Sequence, residues 1–199
     1  MVIFGASGHG KVVADIIKLE NKFSVDCFLD DAEKGDSFYG FPLYLREGYF
    51  QEIKNLFIAI GDNKIRKKIH GEFNVNFPSI KHPSAILSNS VTIGEGTCFM
   101  ANSTVNADTK IGKQCIVNTN ASIDHDCEIG DYVHVSPNAS LAGNVSVGEL
   151  SHIGIGASII QGINIGKNVM IGAGSVIINN IPDHSIVIGV PGKIIKKNE

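Results

Sequence analysis

From Ala85 onward the chain keeps a strict count of six. Cut into hexads, the third position is apolar sixteen times in a row, from Leu87, Ile93 and Phe99 to Ile177, with no insertion. The position after it is glycine in seven of the sixteen, and the first position of each hexad is small or β-branched almost throughout. A helix of 3.6 residues per turn cannot sustain a six, and a flat strand alternates by two. A period of 18 lies on top: Gly94, Gly112, Gly130, Gly148 and Gly166 form one column. Asn102, Asn120, Asn138, Gly156 and Gly174 form a second, and Asp108, Asp126, Asn144, Gly162 and Asn180 a third. Asn, Asp and Gly tolerate the left-handed φ of tight turns. Three hexads therefore make one coil, and each side of a coil points one aliphatic residue inward. The pattern predicts a parallel β-helix of triangular section, about five coils long, each rising by roughly 4.7–4.9 Å. Periodicity leaves its hand open.

Before His82-Pro83 the pattern is different. MVIFG, VDCFLD and NLFIAIG read as strands. GKVVADIIKLE reads as an amphipathic helix with Val12, Val13, Ile16, Ile17 and Leu19 inward, and DNKIRKKIHGEF as a second helix with Asp62 as its N-cap. VNFPSI is a candidate last strand. Alternating strands and helices predict a small Rossmann-like parallel sheet, giving an α/β domain over 1–80 ahead of an all-β domain over 81–199. Ligands of such sheets sit at the carboxyl ends of the strands. Three loops qualify: GASGHG (5–10), LDD (29–31) and IGDN (60–63).

Composition narrows the possibilities. The formal net charge is −3 and the pI near 6.1, so no basic excess argues for nucleic acid or an anionic membrane. Hydrophobic residues make up 43% and charged residues 19%, which excludes a disordered chain. Residues 85–180 hold only 3 basic and 7 acidic residues, a shift that marks the domain boundary. No apolar run reaches the ~18 residues of a membrane span. The start MVIFG lacks the form of a signal peptide, and Cys27, Cys98, Cys115 and Cys127 show no metal-like spacing; reduced, structural thiols in a cytoplasmic protein are expected.

Candidate chemistry falls in two places. GASGHG follows a strand and opens a helix, so its N–H groups could cradle a phosphate. It is not G-x-G-x-x-G, although Asp30, 22 residues after Gly8, keeps a nicotinamide site open beside a plain tight turn. His125 sits two residues after inward-pointing Ile123, on a coil corner, flanked by Asp124 and Asp126, which can orient its ring and raise its basicity. One coil above lies Gly143, leaving open space and an accessible N–H. His134 and His152 are 18 apart and stack on one face, but two ligands without a third do not make a metal site, and no metal is expected.

The hexads, together with GVPGKII (189–195), resemble the hexapeptide-repeat acyltransferases, whose β-helix is left-handed. FGASGHGKVVADI, FLDD, IAIGDNKIRKKI and SIDHDCEIG are similar to one branch, which includes the sialic acid O-acetyltransferases (NeuD type) and the bacillosamine-pathway sugar N-acetyltransferases (PglD type). The resemblance covers nearly the whole chain. It implies a homotrimer with sites between neighbouring β-helices, and acetyl-coenzyme A as co-substrate. It implies His125 as general base, assisted by Asp126, with the Gly143 N–H as oxyanion donor; Asn118, one hexad and one residue before His125, is a candidate for positioning substrate. Asp126 departs from the glutamate of the PglD pattern, and its shorter arm puts the contact with His125 in question. His134, Gly143 and Ile155 would contact acetyl-coenzyme A. Ser7, Gly8 and His9 would face the phosphate or sugar of a nucleotide sugar, Asp30 and Asp31 its nucleoside end, and Gly61 the wall. The expected activity is N-acetylation of UDP-4-amino-4,6-dideoxy-N-acetylglucosamine. Sialic acid O-acetylation and GDP-perosamine N-acetylation are the enzymatic alternatives, and an inert β-helix scaffold the non-enzymatic one.

Overall fold

A computed structural model describes residues 1–198. The apolar runs become β1 (Val2–Phe4), α1 (Gly8–Glu20), β2 (Cys27–Asp30), β3 (Ser37–Phe38), β4 (Phe41–Leu45), β5 (Leu56–Ile58) and α2 (Asn63–Glu72). The sheet order is β3-β4-β2-β1-β5, parallel except for the β3–β4 hairpin. That hairpin is absent from the sequence reading. Its tip, Tyr39-Gly40, has φ of 53° and 81°, as a primed two-residue turn requires, but tyrosine hides the Asn-Gly signal of such turns.

In α1 the buried stripe is Val13, Ala14, Ile16 and Ile17, whereas Val12 and Leu19 are 43% and 57% exposed, against expectation. Those two residues are seven apart, one above the other on the flank, and the narrow stripe between them satisfies the sheet. In α2 the Asp62 carboxylate accepts the Ile65 N–H at 2.8 Å, the expected N-cap. The segment VNFPSI does not extend the α/β sheet. Only Ile80–Lys81 is a strand, and it pairs with Cys98–Phe99 as the first rung of the second architecture.

That architecture is a β-helix with three parallel faces, of six, five and eight strands. Registers such as Ile116↔His134, Ser122↔Ser140 and Glu128↔Ser146 each join residues 18 apart. Every inward residue from Phe99 to Ile177 is buried. Ile93 is 43% exposed, because no full coil covers it from below. On the eight-stranded face, the last strand, Lys193–Lys197, folds back antiparallel on Ser185–Ile188.

The glycine and asparagine columns serve different needs. Asn102, Asn120 and Asn138, and likewise Asp108, Asp126 and Asn144, have φ of 56–60° and turn two of the corners. Asn180 does not join them: its side chain accepts the Asn164 N–H at 2.8 Å as the chain leaves the regular coil. Gly94 to Gly166 are instead sites of close backbone approach. A Cβ on Gly148 would lie 2.6 Å from the Gly166 carbonyl carbon and the Lys167 nitrogen. The third corner is turned by Gln114, Tyr132 and Leu150 at φ of 53°, 58° and 63°. Large side chains in that region cost on the order of 1–3 kcal/mol each, and so hid the corner from the sequence pattern.

The two units share a core. Ile3, Val13 and Ile17 pack with Ile80, Cys98 and Ile116 of the eight-stranded face in one continuous cluster. All four cysteines are free and buried, and burial pushes the Cys98 and Cys115 thiols up to about 12, far from nucleophilic use. No helix among the described residues is long and apolar enough to cross a membrane.

Replacing Gly148 tests the close approach of the coils. Gly148→Ala should destabilise by about 1–3 kcal/mol through overpacking, read as a lowered Tm. Gly156→Asn, at a φ of 65° with open space around its Cβ position, should leave Tm almost unchanged.

Candidate active site

His125 leaves the six-stranded face just past Ser122–Ile123 and lies on the outer surface of the corner. Its Nδ1 lies 2.7 Å from Asp126 Oδ2, so the shorter arm of aspartate does reach the ring. The reach depends on the φ of 57° at Asp126, which swings its carboxylate back over the preceding residue. Asp124 Oδ1 accepts the His125 N–H at 2.9 Å and is itself held by Asn106 Nδ2 at 2.8 Å, one coil below. With Nδ1 donating to Asp126, Nε2 keeps a lone pair toward solvent. The Asp126 hydrogen bond, with the charge of Asp124, raises the imidazole above the usual histidine range.

Gly143 stacks directly above the ring. A Cβ there would lie 2.7 Å from His125 Cε1 and 2.8 Å from Nε2, so only glycine lets the imidazole lie flat against the next coil. Among the described residues the Gly143 N–H has no acceptor, which leaves a free donor beside Nε2. His125 and Gly143 floor a groove that Ala142 and Gln161 continue upward. A lone pair able to take a proton, next to an unpaired N–H, is an arrangement suited to acyl transfer.

The other loops meet on the far side. Gly5, at φ of 114°, and Gly10 are needed there because a Cβ on Gly10 would lie 2.2 Å from the Gly5 oxygen. Ser7 is the N-cap of α1, yet its hydroxyl makes no cap bond; Gly8 lies in open space. Asp30 is already engaged: Oδ2 accepts from Ala6 N at 2.8 Å and Lys34 Nζ at 2.7 Å, and Oδ1 from Ala32 N at 3.0 Å. Burial alone would raise its carboxyl, but these bonds together hold it below the usual range. Asp31 pairs with Arg46 Nε at 2.8 Å. Asp30 thus clamps the glycine loop from inside, and Asp31 is the more open acid.

His134 lies with His9 and Gly61, not with His125. Asn118 Oδ1 accepts the Thr119 N–H at 2.8 Å, so its amide nitrogen faces His134 Nε2 at 3.0 Å. That fixes Nε2 as acceptor and leaves the proton on Nδ1, which is buried and unpaired. Burial, then the neighbouring His152, Arg66 and His9, drive the His134 pKa down to about 2. His134 and His152 stack at 4.5 Å, and no cluster of three metal-ligating side chains exists among the described residues. Burial and Arg66 also lower His9 to about 4. Asn118 and the exposed Ile155 occupy the corner before that of His125 on their coils. Within one chain, then, Asn118, His134 and Ile155 stand apart from His125.

Sequence reasoning passed over Arg66 and Asn63, which join the two units. The signal was present: Asn63, Arg66 and Ile69 recur every three residues on the buried side of α2.

Comparison with known proteins finds relatives of both units and of the whole fold. Residues 1–73 match the family model described as the PglD N-terminal domain, and residues 108–143 match that of the bacterial transferase hexapeptide (six repeats). UDP-N-acetylbacillosamine N-acetyltransferase of Bacillus subtilis is 41% identical over 110 residues, 51% of this chain and 51% of that protein. The chain thus spans about half the length of that curated relative. PerB of Caulobacter crescentus, solved in complex with CoA and GDP-perosamine, is 38% identical with a TM-score of 0.90, covering 98% of this chain and 96% of that one. The acetyltransferase domain of PglB from Neisseria gonorrhoeae, in complex with acetyl coenzyme A, is 38% identical with a TM-score of 0.91, covering 98% of each.

The His125 ring reports its own environment. An NMR titration should give a His125 pKa above that of a free histidine, and Asp126→Asn should lower it. An unchanged value in Asp126→Asn would remove the contact from the account.

Proposed function

The chain belongs to the hexapeptide-repeat transferases that carry a PglD-type N-terminal domain, and from that premise we propose that it acetylates an amine of a nucleotide-linked amino sugar. Acetyl-coenzyme A supplies the activated acetyl group. The observation that carries the reading is the stack of Asp126, His125 and Gly143. The neutral attacking amine gives a proton to His125 Nε2 as the C–N bond forms; the tetrahedral intermediate then collapses with cleavage of the C–S bond, and coenzyme A leaves as a thiolate that takes up the proton from the imidazolium. Asp126, on Nδ1, stabilises the imidazolium that results. The Gly143 N–H donates to the carbonyl oxygen on which negative charge develops. No cysteine is needed: Cys127, the thiol nearest the corner, is buried and turned toward the His125 and Ala142 carbonyls, and burial raises its pKa.

The preferred acceptor is a UDP-linked 4-amino-4,6-dideoxy-N-acetylglucosamine, supported by the Bacillus relative. GDP-perosamine is the second reading, supported by the likeness to PerB. The negative charge of Asp124 and Asp126 favours a cationic amine and works against a carboxylated acceptor such as sialic acid. Ser7, Gly8, His9 and Gly61 border the nucleotide-sugar site, with Asp31 at its nucleoside end and Asp30 holding the loop in shape. His134 and Ile155 are assigned to the co-substrate, and Asn118 to substrate positioning. Their separation from His125 in one chain supports a homotrimer, in which a neighbouring copy brings such residues to the corner. A cytoplasmic setting, where acetyl-coenzyme A and nucleotide sugars are made, fits the reading.

The test is steady-state kinetics of His125→Ala. Turnover should fall by roughly 10²–10⁴, the usual worth of a general base. Tm should barely move, because the side chain is exposed. Near-full turnover at neutral pH would refute the assignment.

A further inference from the structure

The carbonyls of the third corner are read by α2. Gln114, Tyr132 and Leu150 stand 18 residues apart, one per coil, and their left-handed backbones turn the carbonyl oxygens outward. Arg66 Nε donates to Gln114 O at 2.7 Å, Arg66 Nη2 to Tyr132 O at 3.0 Å, and Asn63 Nδ2 to Leu150 O at 3.0 Å. The same guanidinium turns back on its own loop. Nη1 donates to Ile60 O at 2.8 Å and Gly61 O at 3.1 Å, and Nη2 also donates to Asn63 Oδ1 at 2.8 Å. Arg66 is 1% exposed, and every one of these partners is a neutral oxygen. Burial lowers its pKa to about 10, so the charge remains at neutral pH.

A buried cation whose hydrogen-bond partners are all neutral, with the charge of Asp62 near it but not bonded to it, is a poor device for stability alone. An apolar chain of similar volume often serves a core as well or better. What an apolar chain cannot do is bond two carbonyls of the β-helix and two of the 60–61 loop at once. A planar fork of five donors does this, and lysine, with one nitrogen, does not.

We propose that Arg66 is a positioning residue for the acceptor: it sets the Ile60–Gly61 loop, and with it one wall of the nucleotide-sugar site, in register with the β-helix. The proposal rests on the nucleotide-sugar reading above. A misplacement of about 1 Å between reacting groups can cost around 10²-fold in rate. The loss should fall on acceptors that are held through the nucleotide and spare those that are not.

The experiment compares the whole chain with Arg66→Lys and Arg66→Met. Two acceptors are used: the UDP-linked 4-amino sugar and the same amino sugar without its nucleotide. Lys68→Ala, on the exposed side of α2, is the control. For Arg66→Lys, kcat/KM toward the nucleotide-linked acceptor should fall by about 10²-fold. Activity toward the free amino sugar, and KM for acetyl-coenzyme A, should stay within about twofold. Hydrogen exchange should quicken at residues 60–63 and remain slow in the coils. Parallel losses on both acceptors, or no loss on either, would overturn the positioning role. Should Arg66→Met fail to fold, Arg66→Lys and Asn63→Ala carry the same comparison. If the unmodified chain shows no preference for the nucleotide-linked acceptor, the nucleotide-sugar reading fails; hydrogen exchange at 60–63 then still decides whether Arg66 holds the loop, and unchanged exchange there overturns that too.

Discussion

Each residue of the β-helix lies over the residue 18 positions before it, and most of what this protein can do follows from that stacking. Side chains in one column share one environment, repeated at the spacing of strands. A glycine in the column is a place where the next backbone presses close, as at Gly148. A glycine above a polar side chain is a place where that side chain can lie flat, as at Gly143 over His125. A histidine above a histidine gives the stack of His134 and His152, neutral because burial leaves no room for a charge. One geometric rule thus yields an exposed, more basic imidazole on one corner and buried, neutral ones on another face. The difference is exposure and the presence of Asp124 and Asp126.

The α/β unit supplies what a repeat cannot, a set of irregular loops gathered at the ends of parallel strands. It is held to the β-helix in two ways. An apolar cluster runs from Ile3, Val13 and Ile17 to Cys98 and Ile116 and supplies the bulk of the contact. Directional bonds from Arg66 and Asn63 to a column of carbonyls supply register. Apolar contact alone is tolerant of sliding, whereas hydrogen bonds to oxygens at fixed intervals are not.

The β-helix was legible because its rule is strict: a six-residue count of inward aliphatics and an eighteen-residue count of turn residues have no other explanation in a folded chain. His125 was legible because the same count places it on a coil corner, beside the turn residue Asp126, under Gly143 and with acids on both sides. Three features were not. The third corner uses Gln114, Tyr132 and Leu150 where turn-formers were expected, and their carbonyls are bonded by side chains of a helix distant in sequence. The β3–β4 hairpin turns on Tyr39-Gly40, outside the usual turn vocabulary. The place of Ile80–Lys81 depends on which of two sheets offers a free edge, a tertiary fact that local pattern does not contain. The bonds of Asp30 to Ala6 and Lys34 likewise needed coordinates, because a carboxylate that holds a loop and one that binds ribose call for the same residue type.

At the centre of the account is the transfer of acetyl to nitrogen rather than oxygen on a sugar carried by a nucleotide. Mass spectrometry of the product settles this directly. The chain is incubated with acetyl-coenzyme A and, side by side, the UDP-4-amino sugar, its 4-hydroxy counterpart, GDP-perosamine and CMP-linked sialic acid. The account predicts a hydroxylamine-resistant amide on an amino sugar as the fastest-formed product. A labile ester formed faster on either hydroxyl acceptor would contradict it.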